Sequence, residues 1–231
     1  MEDSDVPRFL TPLKSYSPAA ELNVLRAAVA AMAAGGAAPS QKIVTNVSMI
    51  GQEQSNWCWS AVTQTIKQWA GTSASQTDVA TTHVTYNGRT QTCATPNETT
   101  TTGNDCAAGA SCAAGCNDPH ILVVVLKENK HFASYITQGG APSFNDLVSR
   151  LNADKPVPCR VQWSTGGGHF IVVVGWTIDD TGAQLVHVLD PASVPAGQPV
   201  AERVLGFRQF VSAYTLSYST GSINFSYEVS P

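Results

Sequence analysis

The apolar spacing of this chain changes period once, and that change limits the fold more than any single motif. In the earlier part apolar residues recur at three and four positions, the spacing of a helix face. Ala61, Val62, Ile66 and Trp69 share one such face over residues 58–70, with Gly71 as the stop. Phe144, Leu147, Val148 and Leu151 share another, opened by Ser143-x-x-Asp146. A short helix is also expected over 75–84. A further one over 119–128 would start at the Asp118-Pro119 cap, although Val123–Val125 favours a strand. In the last third the pattern turns to short apolar runs. Residues 158–163, 169–176, 185–190, 199–207 and 222–229 are predicted as strands, separated by Gly-rich or Asp-Gly turns, with a short helix near 208–214. Residues 43–50 alternate loosely and are expected to add a strand. Helices first and an antiparallel sheet second is an α+β pattern with two lobes.

Composition narrows the function classes. The chain has 231 residues, 43% of them hydrophobic, which suffices for one good core and an extension. Only 13% are charged and the net charge is -4. Arg89, Lys127, Lys130, Arg150, Lys155, Arg160, Arg203 and Arg208 are scattered, and are read as solvated surface. No basic stripe for nucleic acid is visible. No apolar run is long enough to span a bilayer. The opening Met1-Glu2-Asp3-Ser4-Asp5 is acidic, unlike a secretory leader, so export would need another route or an earlier cleavage. Residues 1–40 read as an extension with one amphipathic helix. Ser17-Pro18 starts it, Leu22, Leu25, Val29 and Met32 form its face, and Gly35-Gly36 ends it. It is either a surface helix or a removable prosegment. The domain proper is then 41–231.

Six cysteines are present. Cys93, Cys106, Cys112 and Cys116 fall in a Gly/Ala/Thr/Asn-rich loop over 88–118. Disulfides are the first expectation there, with a zinc cluster or unpaired thiols as alternatives, since the spacing lacks tight paired knuckles. Disulfides would place the working protein outside a reducing cytosol.

The chemistry concentrates in Gln52-Glu53-Gln54-Ser55-Asn56-Trp57-Cys58-Trp59-Ser60-Ala61. A cysteine in the first turn of a helix meets unpaired backbone N–H groups and the positive end of the helix dipole, and both favour the thiolate. An upstream glutamine can point an amide N–H at a carbonyl oxygen under attack and, with the Cys58 N–H, form an oxyanion hole. Gln52 and Gln54 are both candidates on this reasoning. Trp57, Trp59, Gly167 and Gly168 are expected to border the substrate, the tryptophans by packing around the site.

Of the five histidines, His169 follows Gly166-Gly167-Gly168 and opens the most apolar strand, a rigid mount for a general base. Asp179-Asp180-Thr181-Gly182 is a turn signal, so 169–176 and 185–190 should form a hairpin that brings Asp190 within reach of His169. Asp190 would then fix the imidazole tautomer. His187 is the rival base, but strand alternation turns it away from Asp190. His83, His120 and His131 are read as surface or packing residues without a matching acid. Trp176 is read as core.

Gln-x5-Cys-Trp, followed by Gly-His-Phe-x-Val-Val-x-Gly and Val-x-Asp-Pro, resembles the papain-like cysteine peptidases. The Ser-Asn-Trp-Cys-Trp-Ser-Ala form and Ser75-Gln76-Thr77-Asp78-Val79-Ala80 are closest to bacterial secreted effector-type members. The resemblance covers about residues 43–230. It selects Gln52 over Gln54 for the oxyanion and implies a two-lobed papain-like fold, a helical lobe with Cys58 and a sheet lobe with His169 and Asp190. It implies a secreted endopeptidase acting as a monomer on protein or peptide, with no cofactor, metal, nucleic acid or membrane. The same residues would serve an acyltransferase, transglutaminase or deamidase, and the fold would also serve an inactive interaction module. Self-processing of the N-terminal segment is a further expectation.

Overall fold

A strand apolar on both faces has to be covered on both, and Gly168–Ile178 is such a strand: its first residue is exposed and the next eight are buried. The chain's structure, a computed structural model, describes residues 41–86, 116–217 and 219–231. The expectations for residues 1–40 and for Cys93, Cys106 and Cys112 lie outside the described residues.

The elements, in order, are β1 (Gln41–Ile43), α1 (Cys58–Trp69), α2 (Gln76–Tyr86), α3 (Leu122–Glu128), β2 (Phe132–Gln138), α4 (Phe144–Asn152), β3 (Val157–Trp163), β4 (Gly168–Ile178), β5 (Gln184–Leu189), β6 (Arg203–Gly206), α5 (Phe207–Ser212), β7 (Tyr214–Leu216) and β8 (Ser219–Val229). The described strands form one antiparallel sheet in the order β2-β8-β3-β4-β5-β6, with β1 added on β4 and β7 on β8. The class is α+β.

Alternation along β4 divides the core in two. Phe170, Val172 and Val174 pack with Trp57, Trp59, Val62 and Ile66 and with the buried residues of α2 and α3. Ile171 and Val173 pack with Phe144, Leu147, Leu151 and Phe210 on the opposite face. The β4–β5 register slips between Val173 and Gly175, and Trp176 joins the second cluster as a result. Trp176 is core, as expected, and its indole N–H donates to Asn152 Oδ1 at 3.0 Å. Gly175 lies under β1: a Cβ there would stand 2.4 Å from Ile43 Cδ1 and 2.8 Å from the Lys42 carbonyl oxygen.

Several helix ends follow the local rules. Gly71 leaves α1 with φ +83°. Ser143 and Asp146 make the reciprocal capping box, and Ser75 and Asp78 exchange the same bonds at the start of α2. Asp118-Pro119 does not cap α3, which starts at Leu122 with Ile121 at the N-cap and no side-chain cap. Instead, the Asp118 carbonyl accepts the Trp59 indole N–H at 3.0 Å. Helix prevails over strand at Val123–Val125 because Leu122, Val123, Val125 and Leu126 present one buried face. The strand expected over 43–50 reduces to β1 and an isolated bridge from Ile50 to Pro199. That expected over 199–207 shortens to β6. β2 had no counterpart in the sequence reading.

Candidate active site

The sheet and α1 meet at a cavity of about 480 Å³ whose walls include Gln52, Cys58, Trp59, His120, Trp163, Gly167, Gly168 and His169. Cys58 is the first residue of α1, and its neighbour Trp57 occupies the N-cap without a side-chain cap bond, so no side chain competes there for the first-turn N–H groups. Cys58 is 9% exposed. Cys159, the other free cysteine among the described residues, is fully buried in β3, and burial pushes its thiol well above the usual range.

His169 lies near the start of β4, and its Nε2 meets Asp190 Oδ1 at 2.7 Å. The paired register sets Val172 opposite Leu189, so Asp190 reaches His169 diagonally from just beyond β5. Burial disfavours a charged His169, but hydrogen bonds with Asp190 and Cys58 and the attraction of both push its pKa up to about 10. With Nε2 on the carboxylate, Nδ1 is the ring nitrogen left for the sulfur. The Trp163 ring stacks against the imidazole, centroids 5.9 Å apart and planes 17° from parallel.

Asp190 is completely buried. Burial works to raise its carboxyl, yet hydrogen bonds from His169, Tyr214 and the Ala192 backbone and the charge of His169 hold it below the ordinary value. Oδ1 accepts from His169 and, at 2.9 Å, from Ala192 N–H. Oδ2 accepts from the Tyr214 hydroxyl and, at 3.3 Å, from Arg203.

The glycines before His169 have distinct reasons. Gly166 and Gly167 hold φ +95° and +75°. At Gly168 a Cβ would come within 2.5 Å of the Arg160 guanidinium. Arg160 itself bonds Gln162, Asn224 and the Gly167 carbonyl. Arg160 and Arg203 are therefore structural braces rather than the solvated charges the sequence suggested.

The loop ahead of Cys58 is tied down from two sides. The Gln52 N–H donates to the Pro191 carbonyl at 2.9 Å, coupling it to the Asp190 turn. The Gln76 side chain, fully buried, accepts from Glu53 N–H and donates to the Gly51 carbonyl. Gln52 lines the cavity, but its Nε2 donates to the carbonyls of Gln54 and Ser55 at 3.0 and 2.7 Å, and its Oε1 is buried without a partner. Those two carbonyls fix which end of the amide is nitrogen.

Trp59 contributes to the cavity wall although nearly all of it is buried. Trp57 does not: it is fully buried in the first core cluster, with its indole N–H on the Cys116 carbonyl, which corrects its expected place beside the substrate. Gly167 and Gly168 line the cavity. His187 is remote in its bonding, with Nδ1 on Glu202 at 2.6 Å and Nε2 on Thr177 at 2.7 Å. His131 is a packing residue bonded to the Ser230 carbonyl. His83 has the acid that the sequence did not reveal, Glu128 at 2.6 Å, and its ring contacts that of His120 on the cavity wall.

Cys116 is disulfide-bonded and so is not a zinc thiolate ligand. Among the described residues no group of three or more His, Cys, Asp or Glu side chains could hold a metal ion, and no helix is long and apolar enough to cross a membrane.

Residues 44–221 match the Peptidase_C39 like family. The chain belongs to this family. No curated protein matches it. A Peptidase_C39 like chain has a cysteine peptidase-type fold, and the matched span contains Gln52, Cys58, His169 and Asp190 as well as Arg203 and Tyr214. Sequence reasoning passed over Trp163, Arg203 and Tyr214 in this Peptidase_C39 like site. They lie 6, 34 and 45 positions from His169 in the sequence, and no local pattern ties them to it.

Proposed function

We propose that the chain is a cysteine endopeptidase that hydrolyses peptide bonds through Cys58, His169 and Asp190. The observation that carries this reading is the imidazole of His169, bonded to a buried carboxylate at 2.7 Å and lining one cavity with Cys58. The Cys58 thiolate attacks the substrate carbonyl, and the carbonyl π electrons move to oxygen. The Cys58 N–H stabilises that oxyanion, joined by Gln52 when its amide exchanges one loop carbonyl for the substrate oxygen. His169 gives its Nδ1 proton to the departing amine as the tetrahedral adduct collapses to a thioester. A water molecule, its proton taken by the same nitrogen, hydrolyses the thioester and releases the thiolate. Asp190 keeps Nε2 protonated throughout.

Cys58 on the helical side and His169 on the sheet side, facing one cavity, support a two-lobed reading in which an extended peptide lies between them. The Cys116 disulfide supports a working place outside the reducing cytosol, in keeping with the secreted effector-type reading. The protein would act as a monomer on protein or peptide substrates.

A peptide library and a denatured protein, incubated with wild type and with Cys58→Ala, test this. New N-termini from wild type alone are expected. If an added amine is acylated in preference to hydrolysis, the site is an acyltransferase. Neither product from a folded wild type would reject both readings and leave an inactive module.

A further inference from the structure

The far oxygen of Asp190 faces a cation and a hydroxyl that the proposed reaction does not use. Arg203 projects from β6 and Tyr214 opens β7, so each comes from a different strand. The Arg203 guanidinium donates through one nitrogen to Asp190 Oδ2 at 3.3 Å and to the Tyr214 hydroxyl at 2.9 Å, and through the other to the Thr215 carbonyl at 3.0 Å. It also lies over the Tyr214 ring, 5.1 Å from its centroid. Tyr214 is fully buried, and burial together with the Asp190 charge pushes its hydroxyl well above the usual range, so it stays a neutral donor. It gives its one proton to Asp190 and accepts from Arg203.

We propose that Arg203, with Tyr214, is a positioning residue for the His169–Asp190 pair and sets the pH range in which Cys58 is reactive. This rests on the Cys58–His169–Asp190 reading above. A buried carboxylate with one imidazole partner would be free to rotate or to take a proton. Here Ala192 N–H fixes one oxygen beside His169, and the Arg203–Tyr214 pair fixes the other. The plane of the carboxylate, and so the direction of the imidazole, is set from both ends. The charge count also matters. Thiolate, imidazolium and carboxylate sum to one negative charge, which Arg203 neutralises. Among the described residues, the charged or titratable groups facing Asp190 are His169 from β4, Arg203 from β6 and Tyr214 from β7. Those facing His169 are Asp190 and Cys58. The neighbouring Glu202 is engaged by His187 at 2.6 Å instead.

Removing the positive charge raises the proton affinity of every group in this set, the thiolate and the imidazole included. Both limbs of the reactivity profile therefore move to higher pH. A brace that only held the fold would lower yield or stability and leave the profile where it was.

The test is the rate of iodoacetamide alkylation at Cys58 as a function of pH, followed by mass spectrometry of the Cys58 peptide in the full chain. It needs no substrate. Arg203→Met is expected to move the acid limb up by about 0.5–1 pH unit, and so to slow labelling several-fold on that limb. Arg203→Lys, which keeps the charge, should restore the wild-type midpoint, although its point charge cannot repeat the forked contacts. Tyr214→Phe should move the profile in the same direction, and its effect should be less than additive with Arg203→Met because the two share one network. Arg208→Met, an exposed arginine of α5, is the control and should leave the profile unmoved. A wild-type profile with two limbs and an Arg203→Met profile superimposable on it would overturn the proposal. So would a shift that Arg203→Lys reproduces in full. A wild type with no pH-dependent labelling of Cys58 would instead overturn the underlying peptidase reading. The two failures are thus separate.

Discussion

The β4–β5 hairpin carries two histidines, each bonded to a carboxylate at nearly equal distance, and only one of them shares a cavity with a thiol. His169 meets Asp190 at 2.7 Å and His187 meets Glu202 at 2.6 Å. They differ in what lies at the other ring nitrogen and in how the acid is held. For His187 the second nitrogen is taken by Thr177, and the Glu202 side chain is 36% exposed. His169 shares a cavity with the Cys58 thiol, and Asp190 is completely buried with donors on both oxygens. An imidazole bonded to an acid is therefore no catalytic unit in itself. On the proposed reading, burial of the acid, saturation of its lone pairs and a nucleophile beside the free nitrogen make the difference.

The comparison breaks most sharply at the nucleophile and the base. Cys58→Ala or His169→Gln is expected to reduce peptide cleavage by about 10⁴-fold or more, measured as initial rate on the best library peptide. Asp190→Asn should cost roughly 10²- to 10⁴-fold, because an amide in place of the carboxylate favours the wrong tautomer. Glu202→Gln is its counterpart on the other pair and should stay within about two-fold, in the range of a half-exposed surface substitution. If the two acid-to-amide changes had equal effects on rate, the distinction between the pairs would be lost.

The His169–Asp190 pair should also make folding stability depend on pH. His169 has its folded pKa raised from 6.5 to about 10. The stability it contributes is full below 6.5 and is lost as pH climbs through about 10. Asp190 is depressed below 3.8, so its contribution is present above that value and is lost on acidification through its lower folded pKa. Melting temperatures recorded between pH 6 and 10 should fall with rising pH in the wild type and fall less steeply in His169→Gln. Parallel curves would remove the linkage. Within the His169 site, the smallest effect on rate is expected at the stacking partner. Trp163→Ala should slow cleavage by about 3- to 10-fold, the scale of one aromatic contact, with the pH midpoints shifted little.

Much of this architecture was legible because it is local. The start of α1 at Cys58, the capping boxes at Ser75 and Ser143, and the Asp179–Gly182 turn each lie within a few consecutive residues. The turn is a clear instance: Asp179 Oδ1 accepts from both Thr181 and Ala183 backbone N–H groups. The hairpin then brought His169 and Asp190 close by simple counting, although the true contact is diagonal. β2 escaped because its pairing with β8 slips twice and its burial lacks alternation, so no period of two is written into Phe132–Gln138. His83 gained its acid from Glu128, 45 positions away, and Asp190 gained Arg203 and Tyr214 from separate strands. A charge held by a distant partner looks, in one dimension, like a charge in water. Trp57 shows the reverse error: adjacency to Cys58 suggested the substrate, but helix geometry turned its indole into the core.

The most direct measurement is stoichiometric labelling with the epoxide inhibitor E-64, read by intact mass and by peptide mapping, on wild type and His169→Gln. One adduct per chain is expected on wild-type Cys58, with Cys159 unmodified, and none on His169→Gln at the same pH. An unlabelled Cys58 in folded wild type, or equal labelling of the two proteins, would contradict a sulfur activated by this imidazole.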